Sequence, residues 1–178
     1  YVNGSATALV GGASDIDGLS DGYYDGRSIG LGSGALASDD GTNNDNTALG
    51  WNALSSNTSG DLNTGVGRSA LEDVTTGIRH TAVGCNALKN VTVNHCNTAL
   101  GYEAGQNITT GFNNTVIGRL HGSSNMYGTV LIGAGDTERL KIDSTGLYVN
   151  GSTTALAGGA SDIDGLSDAS YTSSSSSL

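Results

Sequence analysis

The chain has 178 residues and a net charge of −10, with 17 acidic against seven basic side chains. That balance excludes nucleic acid as a partner, because no basic stripe exists to displace counterions from phosphates. Apolar residues make up 36% of the chain, with no Pro and one Phe, which excludes a large core of Leu and Phe and any long apolar segment able to cross a membrane.

Such a composition leaves three options: a thin stacked core, a core shared between identical chains, or disorder. A strict internal repeat argues against the last, since disordered chains need no register.

Residues 1–27 read as a Gly/Asp-rich connector. Asp15-Ile16-Asp17-Gly18-Leu19-Ser20-Asp21 sets three carboxylates around a tight turn. Asp15, Asp17 and Asp21 are the candidate ligands of a Ca²⁺ ion, which takes hard oxygen donors. The full twelve-residue loop with a terminal Glu is missing, so this is no EF-hand. Solvated turn chemistry is the competing reading.

Residues 28–122 form the repeat body. Asn46-Thr47-Ala48-Leu49-Gly50 returns as Asn63-Thr64-Gly65-Val66-Gly67, His80-Thr81-Ala82-Val83-Gly84, Asn97-Thr98-Ala99-Leu100-Gly101 and Asn114-Thr115-Val116-Ile117-Gly118. The starts 46, 63, 80, 97 and 114 are 17 apart, and a looser copy, Ser28-Ile29-Gly30-Leu31-Gly32, precedes them by 18. Fixed-period self-similarity implies stacked repeats.

With Asn46 as position 1, position 4 is always branched and apolar, and position 5 is always Gly. Ala recurs at position 8 (Ala53, Ala70, Ala87, Ala104), and Leu54, Leu71 and Leu88 fill position 9. Position 12 carries Val74, Val91 and Ile108, but Asn57 in the first of these copies. Thr58, Thr75, Thr92 and Thr109 fill position 13, and Gly usually fills position 15.

Each unit thus offers two short apolar runs separated by Gly and polar corners. A helix fails on the repeated Gly, on the abundance of Asn and Thr, and on runs too short for helical periodicity. The expectation is an all-β fold: a parallel β-solenoid, or β-roll, of 17-residue coils with two short strands and two turns each. Stacking places like residues about 4.8 Å apart. Asn46, Asn63, Asn97 and Asn114 then form a structural ladder of side-chain amides that His80 interrupts, beside a column of Gly50, Gly67, Gly84, Gly101 and Gly118. Three or four inward apolar side chains per coil make a thin core, so we expect three chains to share it as an intertwined homotrimer, with a single-chain solenoid as the alternative.

Residues 123–149 read as short strands at Thr129-Val130-Leu131-Ile132, Arg139-Leu140-Lys141-Ile142 and Leu147-Tyr148-Val149, the last two joined by an Asp143-Ser144-Thr145-Gly146 turn. Residues 150–178 read as the start of a second module and a Ser-rich tail. Tyr1-Val2-Asn3-Gly4-Ser5 recurs at Tyr148-Val149-Asn150-Gly151-Ser152, and the acidic turn recurs with Asp162, Asp164 and Asp168 as its candidate Ca²⁺ ligands. The chain therefore reads as a piece of a longer, modular protein.

The run Asn-Thr-Ala-Leu-Gly-x-x-Ala-Leu, with Thr-Ser-Gly or Thr-Thr-Gly between copies, resembles repeats of bacteriophage tail-fibre proteins. It is also similar to the head repeats of trimeric autotransporter adhesins, which form a left-handed parallel β-roll in a homotrimer. Thr137-Glu138-Arg139-Leu140-Lys141-Ile142-Asp143-Ser144-Thr145-Gly146 is similar to the Glu-Arg-Met-Arg-Ile-Asp-Ser-x-Gly segment that follows such repeats in phage fibres. The resemblance implies a structural shaft segment in a virion tail that projects a host-binding tip. Its partners would be two further copies of the chain, other fibre or virion proteins, and a cell-surface glycan or protein receptor. The alternative is a bacterial surface adhesin whose roll itself binds host matrix or glycans.

Trp51, Arg68, Tyr102 and Arg119 share position 6 and are expected to face outward, where Trp51 and Tyr102 are candidate glycan contacts. Cys85 and Cys96 fall at variable positions and read as unpaired thiols, with a disulfide as the alternative. His80, His95 and His121 read as ladder or surface residues. No catalytic constellation is present, and no enzymatic role or resident cofactor is expected.

Overall fold

The computed structural model describes residues 22–24, 27–41 and 44–149. All six carboxylates of the candidate Ca²⁺ turns, Asp15, Asp17, Asp21, Asp162, Asp164 and Asp168, lie outside the described residues. Within them there is no helix, and ten strands follow one another: β1 Gly22–Tyr24, β2 Ile29–Leu31, β3 Thr47–Leu49, β4 Thr64–Val66, β5 Thr81–Val83, β6 Thr98–Leu100, β7 Thr115–Ile117, β8 Val130–Ala134, β9 Thr137–Asp143 and β10 Gly146–Val149.

They form one sheet in sequence order. From β2 to β8 every neighbour is parallel and in repeat register, as in Thr47↔Thr64, Thr64↔Thr81 and Thr81↔Thr98. This is a parallel β-solenoid of about six turns, with coils of 17 residues except for a first of 18 and a last of 15. β1 closes one end antiparallel, and the β9–β10 hairpin closes the other. Both parallel edges are thereby covered, which denies them to stray strands.

The solenoid also runs beyond 122. β8 stacks parallel on β7 with Ile117 opposite Ile132, so Val130–Ala134 is the strand of the last coil. The three strands expected after the repeats are β8, β9 and β10.

From β2 to β7 each coil holds one three-residue strand rather than the two expected, because its far side is built from turns. The residue at position 7 (Asn52, Ser69, Asn86, Glu103) and the Leu at position 9 (Leu54, Leu71, Leu88) all have φ between 49° and 58°. Left-handed residues cannot prolong a strand. The Ala53 N–H donates to the Gly50 carbonyl at 3.2 Å, and Ala70, Ala87 and Ala104 repeat the bond. A left-handed third residue in such a turn is the type II pattern.

Non-glycine residues are costly there, and in-register bonds between coils offset the cost. Leu54, Leu71 and Leu88 donate their N–H groups to the carbonyls of Ala70, Ala87 and Ala104 in the next coil, at 2.9–3.1 Å. At position 5 Gly is required on steric grounds, and position 15 is also tight, a Cβ on Gly60 standing 2.5 Å from the Gly77 carbonyl oxygen. A Cβ on Gly50 would stand 2.7 Å from the Gly67 carbonyl carbon, and one on Gly67 would stand 2.6 Å from that of Gly84.

The core is a single column inside one chain. Ala48, Ala82 and Ala99 at position 3 join the Ala at position 8, the Leu at position 9, and Val74, Val91 and Ile108 at position 12. Ala53, Leu54, Ala70, Leu71, Ala87 and Leu88 are 0% exposed in the isolated chain. These side chains are therefore covered by the coils of their own chain. Small Ala on two sides lets the turns approach closely enough for one Leu per coil to fill the centre.

Candidate functional site

Position 1 sets the ladder. Asn46 presents Oδ1 to the backbone N–H of Asn63 at 2.9 Å, and Asn63 does the same for His80 at 2.9 Å. Asn97 serves Asn114 at 3.1 Å, and Asn114 serves Thr129 at 3.0 Å. Each amide Nδ2 donates to a carbonyl of its own coil: Asn46 to Gly60 at 2.7 Å, Asn63 to Gly77 at 2.8 Å and Asn97 to Gly111 at 2.9 Å. The ladder thus runs mainly from side chain to backbone, not from amide to amide as expected. The one amide–amide bond is Asn114 Nδ2 to Asn97 Oδ1, at 3.0 Å. A buried polar side chain satisfied on both ends fixes register as well as stability.

His80 continues this ladder, which corrects the expectation that it breaks it. Its Nδ1 accepts the Asn97 N–H at 3.2 Å, and its Nε2 donates to the Asn94 carbonyl at 2.7 Å. The two ring nitrogens reproduce the acceptor and donor of an Asn amide, which requires the neutral ring with its proton on Nε2. Burial of the ring lowers its pKa from 6.5 to about 4.

The opposite corner is held by position 13. The Thr58 hydroxyl donates to the Thr75 carbonyl at 3.0 Å, and Thr75 donates in turn to Thr92 at 3.4 Å. The backbone N–H groups of Thr58, Ser59 and Gly60 also converge on the Thr75 carbonyl, at 2.9–3.2 Å.

The outward surface carries two groups of interest. Trp51 and Tyr102 are half exposed at position 6, each with an Arg above it: Arg68 lies 5.8 Å from the Trp51 ring centre and Arg119 lies 5.3 Å from that of Tyr102. Both distances are within cation–π range. Arg119 is also drawn to Glu103 at 3.6 Å and Asp136 at 3.1 Å. A hydrogen bond with Tyr102 holds the Glu103 carboxyl below its usual value and pushes the Tyr102 hydroxyl up.

Cys85 belongs to the same column; it and Cys96 are both free thiols. His95 and Phe112 at position 16 and Tyr127 in the shorter last coil stack, with ring centres 5.2 Å and 4.6 Å apart. Sequence reasoning missed this ladder: His95 and Phe112 are 17 residues apart, but Tyr127 follows after only 15, because the last coil is shorter. His121 bonds Glu103 at 3.1 Å.

A groove of about 490 Å³ opens between the last coil and the β9–β10 hairpin, floored by Leu120 and Leu131 and walled by His121, Tyr127 and Lys141. Lys141 is paired with Asp143 at 2.7 Å. Among the described residues no three His, Cys, Asp or Glu side chains come together as a metal site.

No family model, curated protein or solved structure matches the chain.

Proposed function

We propose that the chain is a structural shaft segment of a phage-type tail fibre, standing in a virion tail and projecting a host-binding tip. The observation that carries this reading is the unbroken bonding between coils. Each coil is tied to the next by strand pairing, by the position-1 ladder and by the turn carbonyls. Seven parallel strands at about 4.8 Å give a rise of about 29 Å that cannot bend without breaking several bonds at once. The fibre resemblance supplies the homotrimer, the virion location and the companion fibre proteins.

A bacterial trimeric adhesin is the second reading, favoured by the half-exposed Trp51 and Tyr102 beneath their Arg partners. Aromatic faces of this kind stack on sugars.

One pair of measurements separates the readings. Electron microscopy of the whole chain tests for stiff rods, and a glycan array compares it with a Trp51→Ala/Tyr102→Ala chain. Rods without glycan binding support the shaft. Binding that the double substitution abolishes supports the adhesin. Collapsed, flexible particles would overturn both.

A further inference from the structure

We infer that the outer face of the parallel sheet is a contact surface for a second copy of this same chain. In a strand successive side chains alternate, so burial of position 3 turns positions 2 and 4 outward. Position 4 is aliphatic in every coil. Leu31 is 36% exposed, Val83 36%, Leu100 50% and Ile117 37%, and Leu49, Val66 and Ile132 complete the column half-buried. Thr47, Thr64, Thr81, Thr98 and Thr115 run beside it at position 2. The result is a flat face, aliphatic along one column and threonine-lined along the other, with the sheet's whole core on its reverse. Parallel sheets are ordinarily covered on both faces, and a continuous apolar patch of this kind marks an interaction site.

Two features commit the face to a second copy. First, neither column holds a charged residue, in a chain whose net charge is −10. Copies that repel elsewhere can meet here without opposing carboxylates. Second, both columns repeat with the rise of the coil. A copy lying alongside meets a matching residue at every step, whereas a partner with another rise loses register within a few coils.

The core of each chain is already closed, so association through this face joins finished coils rather than completing them. The inference rests on the fibre reading only for the number of copies.

The test is light scattering of the whole chain and of a Val83→Glu/Leu100→Glu chain, with Thr76→Glu on a different outward position as control. Both substituted positions point away from the core, so circular dichroism should report an unchanged fold. The expected result is a multimer for the native chain and for Thr76→Glu, and the 17.8 kDa monomer for the double variant. As a second reading, a Leu100→Cys thiol placed in a Cys85→Ser/Cys96→Ser chain should react with maleimide at least tenfold more slowly in the multimer than after dilution to monomer. A native chain that stays monomeric at high concentration overturns the inference. So does a multimer that survives both glutamates, and a Leu100→Cys thiol that reacts at one rate throughout. A dimer would uphold the face while sinking the trimer. A trimer indifferent to the glutamates would do the reverse.

Discussion

His80 holds the backbone N–H of Asn97 through its Nδ1 at 3.2 Å, the task that Asn63 performs for His80 itself at 2.9 Å. An imidazole has taken the place of an amide without loss of either bond, but it alone in the ladder can be protonated. Above pH 6.5 the ring is neutral in both the folded and the unfolded chain, so its contribution to stability is complete. As pH falls from 6.5 towards about 4, the unfolded chain takes up a proton that the buried ring refuses, and stability is lost. Below about 4 the folded ring is protonated too and the loss levels off. The gap corresponds to about 3 kcal/mol. His95, whose charge also disfavours a cation at His80, adds to the effect in the same direction. Thermal melts between pH 7.5 and 4 should show a steeper acid decline in the native chain than in His80→Asn. Parallel declines would refute the assignment.

The glycine column makes a second, sterically based prediction. In Gly67→Ala the new methyl would stand 2.6 Å from the carbonyl of Gly84, at a φ of 131°. Gly128 has a φ of 56° with nothing within 4 Å of a Cβ, so Gly128→Ala carries conformational strain without a clash. The first substitution should cost about 3 kcal/mol or more, and the second about 1 kcal/mol. Denaturant melts of the two variants measure the difference. Equal costs would mean that the coils can spread apart, and that the column does not set their spacing.

The period, the fold class and the terminal hairpin were legible because each depends on recurrence along the chain. Asn46, Gly50 and Ala53 repeat in register, and stacking follows from that alone. Which side chain faces inward was not legible. Ala48 and Leu49 are adjacent, and hydrophobicity favours Leu49 for the core, yet Ala48 is 0% exposed. Close approach of the turn at Ala53 and Leu54 leaves room for a methyl and no more. The left-handed Leu54, Leu71 and Leu88 were equally hidden, since leucine ordinarily avoids that region and only bonds to the next coil hold it there. His80 looked like a break because its chemistry differs from Asn, while its hydrogen-bond pattern does not. The outward columns followed from the same parity that hid the core.

The ladder itself can be tested at Asn97. Its Nδ2 donates to Gly111 and its Oδ1 accepts from the N–H of Asn114, all buried. Asn97→Asp replaces the donor with a carboxylate oxygen facing a carbonyl, and forces either a buried charge or an upward-shifted acid. A loss of about 2–4 kcal/mol at pH 7 is expected, partly recovered as pH falls and the acid protonates. A variant as stable as the native chain at pH 7 would show that the Gly111 bond contributes nothing.

Asn57 points to a gain rather than a loss. It occupies position 12, where the next three coils carry Val74, Val91 and Ile108, and it is 0% exposed. Its Nδ2 reaches the Gly60 carbonyl at 3.2 Å and Asp39 at 3.3 Å, but its Oδ1 has no hydrogen-bond partner. In Asn57→Val the Gly60 carbonyl keeps its bond from Asn46 at 2.7 Å, and the half-exposed Asp39 can turn to water. Removing an unsatisfied buried oxygen and filling the site with the side chain of its neighbours should stabilise the chain by about 1 kcal/mol. Urea melts of the two chains measure the change in midpoint. A destabilised variant would mean that the Asp39 contact holds the first coil in place, and that its polar core position is structural in its own right.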